Sequence, residues 1–113
     1  MSMTFDEYQK KAMSTAVDKT DDFVGAFLHR ILGLVGEAGE VAEKVKKIVR
    51  DKDCQLNETD KSEIIKELGD VLWYVQAVAD YLGVPLDEVA TKNLEKLSSR
   101  KKRDVIRGSG DNR

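Results

Sequence analysis

The sequence predicts an all-α fold, a bundle of four to five helices completed by homo-oligomerisation. Three observations predict it. Apolar residues recur at spacings of three and four across two long stretches, Phe23 to Ile48 and Ile64 to Leu82. Helix start and stop signals fall at the ends of those stretches. The 113 residues include a single proline, with 35% charged and 41% hydrophobic residues, a balance suited to helices that bury one face and solvate the other. Residues 1–107 read as one helical domain, and 108–113 as a glycine-rich polar tail.

Thr4-Phe-Asp-Glu7 matches a capping box, so a first helix is expected from there to about Asp18. Asp21-Asp22 starts a second, with Phe23, Phe27, Ile31, Leu34, Val35, Ala38, Val41, Ala42, Val45 and Ile48 on its apolar side. Gly25, Gly33, Gly36 and Gly39 interrupt it, each at roughly 1 kcal/mol against alanine in an exposed interior. Glycines at that density suggest close approach by another helix or a ligand, and leave a break near Gly33 or Gly36 open. Asp51 to Thr59 is polar and reads as a loop. Asp60 to Glu63 offers the next cap, and a third helix runs to about Leu82. Gly83-Val-Pro85 stops it, and a fourth runs from Leu86 to about Arg103.

Composition also excludes classes of function. A formal net charge of −2 gives no electrostatic footprint for nucleic acid or an anionic membrane. No apolar run approaches the roughly 20 residues of a membrane span. The N-terminal Met1-Ser-Met-Thr-Phe-Asp-Glu7 lacks the basic and apolar regions of a signal peptide. Cys54 is the only cysteine, so no internal disulfide forms and a cytoplasmic setting is expected.

The third helix carries an oligomer argument. Ile64, Leu68, Val71, Leu72, Val75, Val78, Ala79 and Leu82 form one apolar stripe, and Trp73 and Ala77 lie roughly opposite it. A helix apolar on two sides is usually buried on two sides. A chain this short has little left to cover both, so a dimer or tetramer is expected. Trp73 reads as core or subunit contact.

The chemistry-bearing feature is a pair of acidic words, Glu37-Ala-Gly-Glu40 and Glu67-Leu-Gly-Asp70. Carboxylates three residues apart share a helix face. If the two helices pack side by side, Glu37, Glu40, Glu67 and Asp70 converge, and their repulsion demands a cation. Oxygen-only ligands favour Mg²⁺ first, with Mn²⁺ or Ca²⁺ behind it. One such word alone is more often a solvated face, and Lys44, four residues after Glu40, fits that blander reading. Neighbouring small residues and the apolar setting of the second word favour the metal. His29 is the only histidine and no Glu-x-x-His word exists, which argues against a ferritin-like di-iron site.

Gly33-Leu-Val-Gly-Glu-Ala-Gly-Glu-Val-Ala-Glu43, then Lys66-Glu-Leu-Gly-Asp-Val-Leu-Trp-Tyr74, then Asn93-Leu-Glu-Lys-Leu97 with Arg100, together resemble the MazG family of all-α nucleoside triphosphate pyrophosphohydrolases. These are related to dimeric dUTPases and phosphoribosyl-ATP pyrophosphatase. The resemblance runs from about Leu28 to Arg103, and the ending Gly108-Ser-Gly-Asp-Asn-Arg113 is similar to the tail of small single-domain members.

The resemblance implies that Glu37, Glu40, Glu67 and Asp70 hold Mg²⁺ while a water attacks the α-phosphorus, giving a nucleoside monophosphate and pyrophosphate. Glu40, with Glu37 as second choice, is the candidate base. Asn93, Lys96 and Arg100 share one helical stripe, and in the family the asparagine and lysine contact the nucleotide. Lys44 and Lys47, one and two turns past Glu40, are further phosphate candidates, and Tyr74 either bonds a sugar or phosphate or is a buried core tyrosine. Phe5, Tyr8 and Phe23 are candidates to meet the base. Two rivals stand beside this reading: a narrower dUTPase-like or phosphoribosyl-ATP-cleaving enzyme, and a helical interaction module whose acids are merely solvated.

Overall fold

Residues 2–113 are described by a computed structural model. Thr4 caps α1 (Phe5–Met13), its hydroxyl accepting from the Glu7 backbone N–H at 3.0 Å. The helix ends at Met13 rather than near Asp18, because Ser14 and Thr15 turn their hydroxyls onto the carbonyls of Lys11 and Ala12 and close the last turn. Asp22 caps the next segment as expected, accepting from Gly25 N–H at 2.7 Å. That segment, Phe23–Leu28, is a π-helix, which nothing in the apolar spacing announces. It runs directly into α2 (His29–Asp51), which passes Gly33, Gly36 and Gly39 without a break.

Of those glycines, only Gly33 in α2 meets a close neighbour. A Cβ there would sit 2.2 Å from the ring of Tyr74, whereas Gly36 and Gly39 face open space. After a short loop, α3 (Glu58–Tyr81) begins two residues before Asp60. Asn57, not Asp60, is the N-cap, and the two close a reciprocal capping box at 2.8 and 3.1 Å. Then α4 spans Leu86–Lys102. Its N-cap, Pro85, has no side-chain acceptor, so α1 supplies two: Gln9 accepts from Leu86 N–H at 3.0 Å and Asp6 from Asp87 N–H at 2.9 Å. The Gln9 amide also donates to the Gln76 and Val84 carbonyls, so one side chain ties α1 to α3, the turn and α4.

Antiparallel α2 and α3 form the main contact; α1 packs on α3 and α4, and α4 makes none with α2. Among the described residues the buried apolar ones are few and mostly small: Ala12, Ala26, Ile48, Ala77, Ala79 and Leu86. A polar strut supplements them. Arg30, 6% exposed, donates to Asp18 at 2.6 and 3.2 Å, to Asp80 at 3.2 Å and to the Ala77 carbonyl. It thereby fastens the segment between α1 and the π-helix onto α2 and the end of α3. Its guanidinium holds the Asp18 carboxyl below its usual range.

The oligomer argument from α3 changes in one respect. The Trp73–Ala77 side is covered within the chain, by α1: the indole N–H donates to the Ala12 carbonyl at 3.2 Å and to Thr15 Oγ1 at 3.0 Å, and Ala77 is fully buried. The supposedly inner stripe is the one left partly open, with Leu68 and Leu82 exposed. The tail also does more than trail. Arg113 donates to the carbonyls of Val105, Ile106 and Gly110, curling residues 105–113 against the end of α4. No helix among the described residues is long and apolar enough to cross a membrane.

Candidate metal and nucleotide site

Packing α2 against α3 brings three of the four expected carboxylates together. Glu37, Glu67 and Asp70 each offer an oxygen within 4.8 Å of the others. Glu37 is partly buried, and desolvation together with the charges of Asp70, Glu67 and Glu40 raises its carboxyl above the usual range. Anions held this close favour a shared positive charge, and an oxygen-only set suits a hard cation such as Mg²⁺. Glu40 stands outside the trio. One turn along α2, it lines an adjoining cavity of about 310 Å³ with Lys44 and Lys47. Lys44 Nζ lies 3.9 Å from both Glu63 and Glu67, so it touches the edge of the acidic group. Lys47 is exposed and leans on Glu43 at 3.9 Å.

On the other side of the trio lies a recess of about 300 Å³ walled by Thr15, Val17, Glu37, Asp70, Trp73 and Tyr74. The Tyr74 ring lies over Gly33, and Trp73 meets it edge-on at 5.0 Å. Tyr8 of α1 also belongs here. Burial and the Asp70 charge push its phenol up, which places its hydroxyl in the field of the cluster.

The candidates on α4 are placed differently. Asn93 is exposed, on a helix that does not touch α2. Lys96 and Arg100 turn to the tail: Asp111 accepts from Lys96 at 2.9 Å and from Arg100 at 3.1 Å, and the Asp111 carbonyl accepts from Arg100 at 2.9 Å. Arg100 is 5% exposed. Of the rings proposed to meet a base, Phe23 instead packs on Phe27, which stacks on Tyr81 at 4.8 Å. Sequence reasoning missed Thr15 and Val17, which lie where the first helix was expected to continue. The Ser14-Thr15 pair, able to fold back on the helix end, was the available signal.

Comparison with known proteins bears on the same elements. A family model described as the MazG nucleotide pyrophosphohydrolase domain matches residues 27–105. The chain is 48% identical over 114 residues to Gene 37 protein of Mycobacterium phage L5, covering 98% of this chain and 100% of that one. It is 37% identical over 81 residues to protein YvdC of Bacillus subtilis (strain 168), covering 67% and 76%. It is 29% identical over 99 residues to protein YpjD of the same organism, covering 81% and 88%. No solved structure matches.

Proposed function

Because the chain belongs to the MazG nucleotide pyrophosphohydrolase family, we propose that it hydrolyses a nucleoside or deoxynucleoside triphosphate between the α and β phosphates, using Mg²⁺ or, in its place, Mn²⁺. The observation that carries this is the convergence of Glu37, Glu67 and Asp70 beside cavities on both sides, one of mixed charge that includes Lys44 and Lys47 and one aromatic. Glu37, Glu67 and Asp70 would hold the cation, with Glu40 within a turn of them. When bound, Mg²⁺ neutralises charge on the phosphate oxygens and lowers the pKa of a coordinated water.

The chain's own groups supply the rest. Glu40, exposed and lining the cavity that also holds Lys44 and Lys47, takes the proton of the attacking water. The water oxygen bonds to the α-phosphorus as the bridging bond to the β-phosphate breaks, leaving a nucleoside monophosphate and pyrophosphate. Lys44 and Lys47 face the departing phosphates. Tyr74 stands at the sugar. Asn93, Lys96 and Arg100 are further nucleotide contacts, the last two after release from Asp111. A homodimer or homotetramer is supported by the exposed Leu32 and Val35 on α2 and Ile65 and Leu68 on α3. The solitary exposed Cys54 suits a cytoplasmic setting, and neither charge nor hydropathy calls for nucleic acid or a membrane.

Pyrophosphate release from a panel of triphosphates, with and without Mg²⁺, tests the reading, with Glu67→Gln alongside. Metal-dependent release lost in the variant is expected; no release from any triphosphate would overturn general hydrolysis. In parallel, Glu37→Gln should melt higher than wild type without metal, because like-charge repulsion is relieved, and lose the Mg²⁺-induced rise.

A further inference from the structure

The recess that holds Trp73 does not end at the carboxylates. Its wall residue Val17, 88% exposed, also lines a second cavity of about 510 Å³ with Lys19, Val24, Gly25 and His29. The two adjoin at that side chain, and taken together they make a trough with Glu37, Asp70, Trp73 and Tyr74 on one side of Val17 and Lys19, Val24 and His29 on the other. Together they fall within the range of small-molecule sites.

Three features of this trough are unusual for a plain surface. Trp73 is fixed, its N–H committed to Ala12 and Thr15 and its ring edge-on to Tyr74, so its orientation is set before any ligand arrives. Trp73 follows Asp70 by three residues, a rise of about 4.5 Å along neighbouring positions of α3, which is about a sugar's width between an α-phosphate and a base. Lys19 has no carboxylate partner among the described residues, so its ammonium is available at the far end, whereas the neighbouring His29 faces Asp18 at 3.4 Å.

We propose that this trough is the nucleobase subsite, with Trp73 and Val17 holding the base ring and Lys19 donating to an oxo group on its edge. This rests on the pyrophosphohydrolase reading for the phosphates and adds the class of base: one bearing an oxo group, such as uracil, thymine or guanine, in preference to adenine. The π-helix and the Asp18–Arg30 strut are positioning elements, since they set where Lys19 and Val17 stand.

Trp73 is the only tryptophan, so its fluorescence reports on the trough alone. The probes are nucleoside monophosphates and ribose 5-phosphate, titrated without metal, with pyrophosphate release from the corresponding triphosphates measured in parallel on the same protein with Mg²⁺. Saturable quenching by uridine and guanosine monophosphates, weaker with adenosine and absent with ribose 5-phosphate, is expected. Val17→Asp, at an exposed position that leaves folding intact, should weaken it roughly ten-fold or more, the scale of one lost base contact. Lys19→Met should level the ranking of bases while leaving quenching itself in place. Hydrolysis without base-dependent quenching overturns the subsite and leaves the reaction standing. Quenching that Val17→Asp leaves within two-fold overturns it as well. Base-dependent quenching with no hydrolysis supports the subsite and removes the reaction.

Discussion

Replacing Arg30 with methionine removes the strut between the α1-to-π segment and the body of the fold, and its cost can be worked out bond by bond. Arg30 makes two bonds to Asp18, one to the Ala77 carbonyl and one to Asp80. The Asp80 pair counts for little, since its carboxylate side chain is 43% exposed. The Asp18 side chain is only 14% exposed and loses all but the 3.4 Å contact with His29. A charge-assisted bond contributes about 1.5–3 kcal/mol net, and removing one partner of a buried pair costs about 3–5 kcal/mol. Methionine regains some packing, so a loss of about 3 kcal/mol is expected. Against a total of roughly 5–15 kcal/mol, that is a large share.

Urea unfolding followed through Trp73 measures it. With a slope of about 2 kcal/mol/M, the midpoint should fall by about 1.5 M. Arg30→Lys should recover little, because an ammonium cannot reproduce the fork toward Asp18. Acid provides the internal check. Asp18 has a lowered pKa when folded, so its stabilisation is present above the ordinary aspartate value of 3.8 and disappears as pH falls through the lowered one. The gap between wild type and Arg30→Met should therefore narrow below pH 3.8. A midpoint shift under about 0.3 M at neutral pH would refute the reasoning, as would a gap that does not change with acid.

Gly33→Ala sets about 1 kcal/mol of helix propensity against a methyl placed 2.2 Å from the Tyr74 ring. Overpacking costs about 1–3 kcal/mol and prevails, so thermal melting should drop and Tyr74→Leu should partly restore it; strictly additive effects would show that the ring and the glycine do not meet. Truncation before Gly108 uncovers Arg100 and frees Lys96, and should lower melting by several degrees, the equivalent of about 1 kcal/mol. An unchanged melting curve would mean the tail contributes nothing to the end of α4.

What the sequence made legible follows from how local each signal is. Thr4, Asp22 and the Gly83-Val-Pro85 stop act within a turn of themselves: Thr4 caps α1, although only its own half of the expected capping box forms, Asp22 caps the π-helix, and the stop separates α3 from α4. Asn57 was overlooked for Asp60 because both carry a capping oxygen; only the closed box shows which one leads. The two acidic words could be read because a three-residue spacing fixes a face, and α2 and α3 do bring Glu37, Glu67 and Asp70 together. Arg30 could not. Its partners lie 12, 47 and 50 residues away in sequence, and no local pattern marks an arginine that will be buried. Asp111, likewise, looks like one polar residue in a glycine-rich tail until the chain brings it to Lys96 and Arg100.

The π-helix at Phe23–Leu28 gives the fold a place where chain length can change by a residue without turning the side chains on either side. A π turn holds one residue more than the α turn it replaces, so deleting a residue such as Val24 would let the ladder relax to ordinary i→i−4 bonding. Asp22, Lys19 and Val17, which precede it, would then keep nearly their present facing relative to Glu37, because one full turn is exchanged for another. A single-codon loss here can therefore be absorbed by the helix, with the wall of the trough and the carboxylates keeping their relation. Within such a scaffold, a change of substrate preference falls to substitutions at Val17 and Lys19, while a one-residue change in length at the π-helix is tolerated.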